Sequence, residues 1–222
     1  MDKKNVLIIS GGKIEIDFAI GYIMDKKYDC IIAADKGLSY CQQLCLEPQL
    51  IVGDYDSLPE GLLEPYRNRP DVTIRTYNPV KDDTDTEIAI KAALEMGAEE
   101  ITILGALSGS RIDHLLGNIQ CMKLALDAGA ECLLVDACNR IRLLGGPRST
   151  LTLERHCQYG SYLSLIPMTE EVSGINLTGV YYPLENATLT QGNSLGISNE
   201  ITEDRAIISI GRGLVILVES KD

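Results

Sequence analysis

The chain has 222 residues, with 20 Lys and Arg against 32 Asp and Glu, for a formal net charge of -12. That length allows one large domain or two small ones and ample material for a buried core, and a hydrophobic content of 45% is ordinary for a globular protein. The acidic balance excludes general nucleic-acid binding, which needs a basic footprint, and any polyphosphate ligand would have to be screened by a few focused cations or a bound divalent metal.

Residues 6–9 form the first apolar run, which stops at Ser10-Gly11-Gly12 without a cleavage-like site. It predicts a first strand rather than a signal peptide. The other apolar runs are also too short to cross a membrane, so the expectation is a cytoplasmic protein with no membrane association. From there the period alternates. Residues 15–26 read as helix, 30–34 as strand, and 37–46 as a helix stopped by Pro48. Strands are predicted at 50–53 and 72–77, then a long helix over 84–96 closed by Gly97. A strand at 101–104, a helix over 113–128 closed by Gly129 and a strand at 132–135 follow. Apolar strands separated by helices predict a parallel sheet with helices on its faces, and in such sheets ligands sit beyond the carboxyl ends of the strands.

Gly145-Gly146-Pro147 reads as a linker. Beyond it the period becomes two, with strands predicted at 150–153, 162–166, 187–190, 206–210 and 214–218. This half predicts a small antiparallel sandwich or barrel. It is marginal alone, and its apolar strands, 214–218 above all, suit pairing with a second copy. The 7 cysteines are an odd number without a CxxC pair, which predicts reduced structural thiols.

Four segments with chemical potential follow predicted strands. Asp35, in Ala34-Asp35-Lys36-Gly37, reads most simply as a helix N-cap. In Gly53-Asp54-Tyr55-Asp56-Ser57, an extended backbone would place both carboxylates on one side, roughly 7 Å apart. That arrangement suits a hard cation such as magnesium, and a solvated turn is an equal reading. In Lys81-Asp82-Asp83-Thr84-Asp85-Thr86-Glu87, Thr84 and Glu87 make a capping-box pattern. The four neighbouring carboxylates repel, and a bound cation or Lys81 would relieve them. Gly105 to His114 is a flexible strand-to-helix loop, a natural anion site. In it Arg111 can grip phosphate oxygens as a fork, while Asp113 also reads as an N-cap. GxxxxGK[ST] and GxGxxG are both missing, which removes the P-loop and dinucleotide readings.

In order and spacing, Ala34-Asp35 with Gly37, Gly53-Asp54-Tyr55-Asp56-Ser57, Lys81-Asp82-Asp83-Thr84-Asp85 and Gly109-Ser110-Arg111-Ile112-Asp113-His114 resemble the thiamine pyrophosphokinase family across essentially the whole chain. The resemblance implies an α/β ATP-binding catalytic domain over 1–145 and a β-sandwich thiamine-binding and dimerisation domain over 146–222, in a homodimer. It implies transfer of the pyrophosphoryl group of ATP to the hydroxyl of thiamine, giving thiamine diphosphate and AMP, with Mg2+ as cofactor. Asp35, Asp54, Asp56 and Asp82 become metal ligands. Asp35, Lys36, Ser57, Lys81, Thr84, Asp85, Ser108 and Arg111 surround ATP. Asp82, Asp113, Ser198 and Asn199 face thiamine, and Asp54, Asp56, Asp82, Arg111 and Asp113 form the catalytic set, with Asp82 or Asp113 taking the hydroxyl proton. The chain departs from the family at Lys36, where Gly is frequent. It also has no Trp, so stacking on thiamine falls to another side chain, for which Tyr77 is a candidate.

Overall fold

A computed structural model describes residues 3–56, 58–78, 82–146 and 148–222. The chain forms two compact units, Met1–Ala137 and Cys138–Asp222.

The first unit contains, in chain order, β1 (Asn5–Ile9), α1 (Ile16–Met24), β2 (Cys30–Ala34), α2 (Gly37–Gln43), β3 (Leu50–Gly53), β4 (Thr73–Thr76), α3 (Asp85–Glu95), β5 (Glu100–Leu104), α4 (Ile112–Asp127) and β6 (Glu131–Val135). Its strands lie in the order β4-β3-β2-β1-β5-β6, and every pair is parallel. The sequence dictates where β1 goes. Val6, Leu7, Ile8 and Ile9 are apolar on both faces, which only a central strand of a parallel sheet can bury, and all four are 0% exposed. Each is worth about 1.5–3 kcal/mol of transfer free energy. By contrast β4, Thr73–Thr76, is only partly covered, as a short polar edge strand should be. The order has one consequence for function. From β1 the chain steps outward through β2, β3 and β4, then returns to place β5 on the other side of β1. The winding direction therefore reverses between β1 and β5, and a crevice opens at their carboxyl ends.

The helices obey the predicted capping only in part. Thr84 is the N-cap of α3, its Oγ1 accepting from Glu87 N at 3.2 Å. Asp35 is not a cap; that position at α2 belongs to Lys36. The N-cap of α4 is Arg111, which leaves Asp113 inside the first turn.

The second unit contains β7 (Asn139–Gly145), β8 (Thr150–Glu154), β9 (Tyr162–Pro167), β10 (Glu171–Thr178), β11 (Leu184–Thr190), β12 (Arg205–Ser209) and β13 (Leu214–Ser220). Within it the strands run antiparallel in the orders β7-β13-β9 and β11-β10-β12-β8. Alternating inward residues such as Val172, Ile175, Ala206, Ile208, Val215 and Leu217 make its core. Two strands here escape the sequence pattern. In β10, Gly174 and register shifts after Val172 and Ile175 break the alternation. In β7, Arg140 and Arg142 alternate with apolar residues and look like an exposed face. They are covered because Glu219, 1% exposed, lies opposite on β13. Its carboxylate accepts Arg140 Nη2 at 2.6 Å and Nε at 2.8 Å, Arg142 Nη2 at 3.4 Å and Tyr159 N at 3.0 Å. A buried charge is tolerable when paired this fully. Gly145 exchanges backbone hydrogen bonds with Arg148 at 2.9 and 3.0 Å, so Gly145-Gly146 belongs to a reversal between β7 and β8. Pro147, the third residue of the expected linker, lies outside the described residues.

Candidate active site

The crevice predicted by the strand order is a cleft of about 420 Å³ in the first unit. One wall is the loop after β1, Ser10-Gly11-Gly12, and the other is the loop after β5, Gly105 to Arg111. The two loops touch closely. Ser10 N donates to Leu104 O at 2.8 Å and Gly12 N to Gly105 O at 2.9 Å. A Cβ at residue 12 would stand 2.3 Å from the carbonyl oxygens of both Gly105 and Ser108, so only glycine permits this approach. Asp35, Lys36, Thr84, Asp85 and Ser108 line the cleft with Arg111, all six being expected nucleotide-site residues. Ser108 Oγ is occupied, donating to Lys13 O.

Asp35, Asp54 and Asp56 come together, each offering a carboxylate oxygen within 4.8 Å of the others. The route to this differs from an extended strand. Asp35 and Tyr55 both sit in the left-handed region, with φ of 46° and 63°, a costly backbone state that concentrates at functional sites. The chain therefore turns at Tyr55. The Tyr55 hydroxyl lies 3.1 Å from Ile51 O and 2.9 Å from Arg75 O, which pins the turn to β3 and β4, and Asp56 N donates to Asp54 Oδ1 at 3.2 Å. The carboxylates end up closer than the roughly 7 Å of a flat strand. The electrostatic result is direct: the Asp54 charge, with smaller help from desolvation and Asp35, pushes the Asp56 carboxyl above its ordinary range.

This group fits a hard dication. All three donors are carboxylate oxygens, the ligand type a hard dication takes, and their mutual repulsion is what such a cation would relieve. Asp82 is exposed and outside this group. Ser57 and Lys81 lie outside the described residues.

Repulsion in the 82–87 stretch is relieved by a residue the sequence reading did not weigh. Lys91 Nζ bonds Asp83 at 2.6 Å and Glu87 at 2.8 Å. Its position one turn beyond Glu87 on the predicted helix was the available signal. Glu87 also accepts from Cys121 Sγ at 3.8 Å; burial first, then this carboxylate, pushes the Cys121 thiol up to about 11. Arg111 and Asp113 form an exposed ion pair. The guanidinium holds the Asp113 carboxyl below the usual range. Ser10, Thr86 and Asn118, also unweighed, are buried polar residues of the cleft. The glycine pair following β1 was the signal for that wall.

In the second unit Ser198 is exposed with φ of 56°, and its N–H donates to Ser164 Oγ at 3.0 Å. Asn199 is 3% exposed. Its Nδ2 donates to Tyr182 O at 2.7 Å, and its Oδ1 accepts from Tyr182 N at 3.0 Å and Glu200 N at 2.9 Å. Tyr77 is half-buried, its N–H donating to Gly53 O at 3.0 Å.

Comparison with known proteins agrees with this layout. Residues 23–138 match the family model for the thiamin pyrophosphokinase catalytic domain, and 148–215 match that for the thiamin pyrophosphokinase vitamin B1 binding domain. Thiamine pyrophosphokinase of Bacillus subtilis (strain 168) is 33% identical over 99% of this chain and 100% of its own length. A crystal structure of the thiamine pyrophosphokinase from Bacillus subtilis superposes with a TM-score of 0.86 at 30% identity, covering 99% of this chain and 100% of that one. The thiamin pyrophosphokinase from Geobacillus thermodenitrificans gives 0.83 at 30% identity, covering 98% of each chain. With both halves matched in order and a full-length relative at this identity, the chain belongs to the thiamin pyrophosphokinase family.

Proposed function

We propose that this protein is an ATP- and magnesium-dependent thiamine pyrophosphokinase, moving the pyrophosphoryl group of ATP onto the hydroxyl of thiamine to give thiamine diphosphate and AMP. The observation that carries the reading is the convergence of Asp35, Asp54 and Asp56 at the crevice where the strand order places a ligand. Magnesium bound there supplies charge neutralisation on the phosphate oxygens. In an acidic chain of net charge -12, that is what a polyphosphate site requires.

The protein's own groups do the rest by positioning. Arg111 exchanges its Asp113 partner for phosphate oxygens, which it grips in a fork. Lys36, exposed on the cleft, supplies a second cation, and Thr84, Asp85 and Ser108 border the nucleotide; Ser57 and Lys81 complete this set. Asp82 joins the metal ligands from the start of the acidic stretch. The hydroxyl of thiamine attacks the β-phosphorus and its proton passes to a carboxylate, Asp82 or Asp113. Thiamine is held with help from Ser198 and Asn199. Tyr181, Tyr182, Leu195 and Ile197 are exposed on the same unit, and apolar side chains left in water there support a homodimer. The setting is cytoplasmic; no helix among the described residues is long and apolar enough to cross a membrane.

Mass spectrometry of products after incubation with ATP, magnesium and thiamine tests the reaction. Thiamine diphosphate with stoichiometric AMP is expected; ADP with thiamine monophosphate, or no thiamine product, overturns it. Light scattering should give the mass of two 24.3 kDa chains.

A further inference from the structure

Three consecutive carbonyls leave β5 and enter the cleft wall, at Leu104, Gly105 and Ala106. Backbone carbonyl oxygens carry partial negative charge, so a wall that showed them to a polyphosphate would repel it. Each is engaged instead. Ser10 N takes Leu104 O at 2.8 Å and Gly12 N takes Gly105 O at 2.9 Å. Among the described residues the third has no backbone donor of this kind; Asn118 Nδ2 takes it, at 2.8 Å. Asn118 is 8% exposed, on α4, two turns beyond the start of the helix. Its side chain reaches back to the loop that leads into its own helix, and both ends of this bond line the cleft.

We propose that Asn118 is a positioning residue for the nucleotide: by donating to the Ala106 carbonyl it fixes the β5–α4 loop with that oxygen withheld from the phosphates. An amide is suited to the task. It supplies an N–H donor without adding charge, whereas Asp would bring a carboxylate beside both the carbonyl and the polyphosphate, and an aliphatic side chain would leave the carbonyl unpaired and free to rotate toward the ligand. The effect belongs to one substrate, because the loop borders the cleft assigned to ATP. The proposal rests on that assignment.

The test compares wild type with Asn118→Leu, similar in size but without a donor, and Asn118→Gln, which keeps the amide on a longer arm. Binding of ATP with magnesium is measured by calorimetry, and steady-state KM is measured for each substrate. Wild type is measured first; if it fails to bind ATP, the nucleotide reading falls, independently of Asn118. Given wild-type binding, Asn118→Leu should weaken ATP about tenfold with the thiamine KM changed less than about twofold, and Asn118→Gln should recover part of the loss. Unchanged ATP affinity in a folded Asn118→Leu, or equal losses for both substrates, overturns the proposal. If Asn118→Leu does not fold, Asn118→Ser, polar but too short to reach the carbonyl, takes its place with the same expectations. Failure of both to fold makes Asn118 a folding residue and overturns the proposal as well.

Discussion

Gly53 has no side chain where Asp35 has its backbone: a Cβ at residue 53 would stand 3.2 Å from Asp35 Cα and 3.3 Å from Asp35 N. Gly53 ends β3 and Asp35 directly follows the neighbouring β2, and the glycine lets the first carboxylate of the acidic group settle beside the other two. Gly53 also has φ of 150°, which an L side chain rarely adopts. Gly53→Ala should therefore displace Asp35, lowering stability by about 1–3 kcal/mol and magnesium-dependent activity by far more than the unfolded fraction accounts for. Thermal melts and activity assays on the same sample check this; a variant with normal turnover would detach the position of Asp35 from the reaction.

Asp54→Asn separates folding from function. Asp56 titrates above its ordinary range because Asp54 is beside it, so the folded, metal-free protein carries a repulsion that is relieved at acid pH and is fully present once pH has risen through the raised value. The variant should be inactive, since an amide offers magnesium no charged oxygen. In the absence of metal it should nevertheless melt higher than wild type at neutral pH, and that advantage should shrink as pH falls through the Asp56 titration. Melts across pH in a chelating buffer give the answer. An active, folded variant would remove Asp54 from the metal site.

Arg111→Lys keeps the charge and loses the fork. A fall of at least about tenfold in kcat/KM is expected, roughly 1.4 kcal/mol of transition-state binding. The Asp113 carboxyl should also lose part of the depression that the guanidinium imposes, visible by NMR titration. Equal activity with lysine would reduce Arg111 to a general positive charge.

Asn199 holds the backbone of Tyr182 and Glu200 through three hydrogen bonds. Asn199→Ala should cost about 2 kcal/mol, a melting shift of roughly 4–8 °C for a chain of this size. Asn199→Ala with an unchanged melt but a raised thiamine KM would instead assign the amide to the ligand alone.

The parallel half was legible because its central strands are apolar on both faces and three of its four helices are followed by Pro or Gly. Every predicted element from β1 to β6 is present with bounds shifted by a few residues. The antiparallel half was read less fully. Strand β10 is interrupted at Gly174, and the covering of Arg140 and Arg142 depends on Glu219, a contact far away along the chain. At the site, residue types after a strand end pointed to Asp54 and Asp56, whereas Asp35 read as an N-cap and entered the ligand set only through the family resemblance. The left-handed turn at Tyr55 that draws them together was hidden, because a tyrosine at positive φ is a tertiary outcome. The bracing partner Asn118 was hidden for a related reason: inside a helix, an Asn looks like an ordinary surface residue until the facing loop is known.

Strand β13 lies between β7 and β9, hydrogen-bonded to both along nearly its whole length. During synthesis, β7 and β9 leave the ribosome long before the strand that joins them, and each must wait with an unfilled edge until residues 214–220 emerge. The first unit has no such dependence: its six strands are all present by Val135, so it can fold while the rest is being made. Nascent-chain vulnerability thus concentrates in the second half, where premature termination before residue 214 removes the middle of a sheet rather than its margin and exposes two open edges to intermolecular pairing.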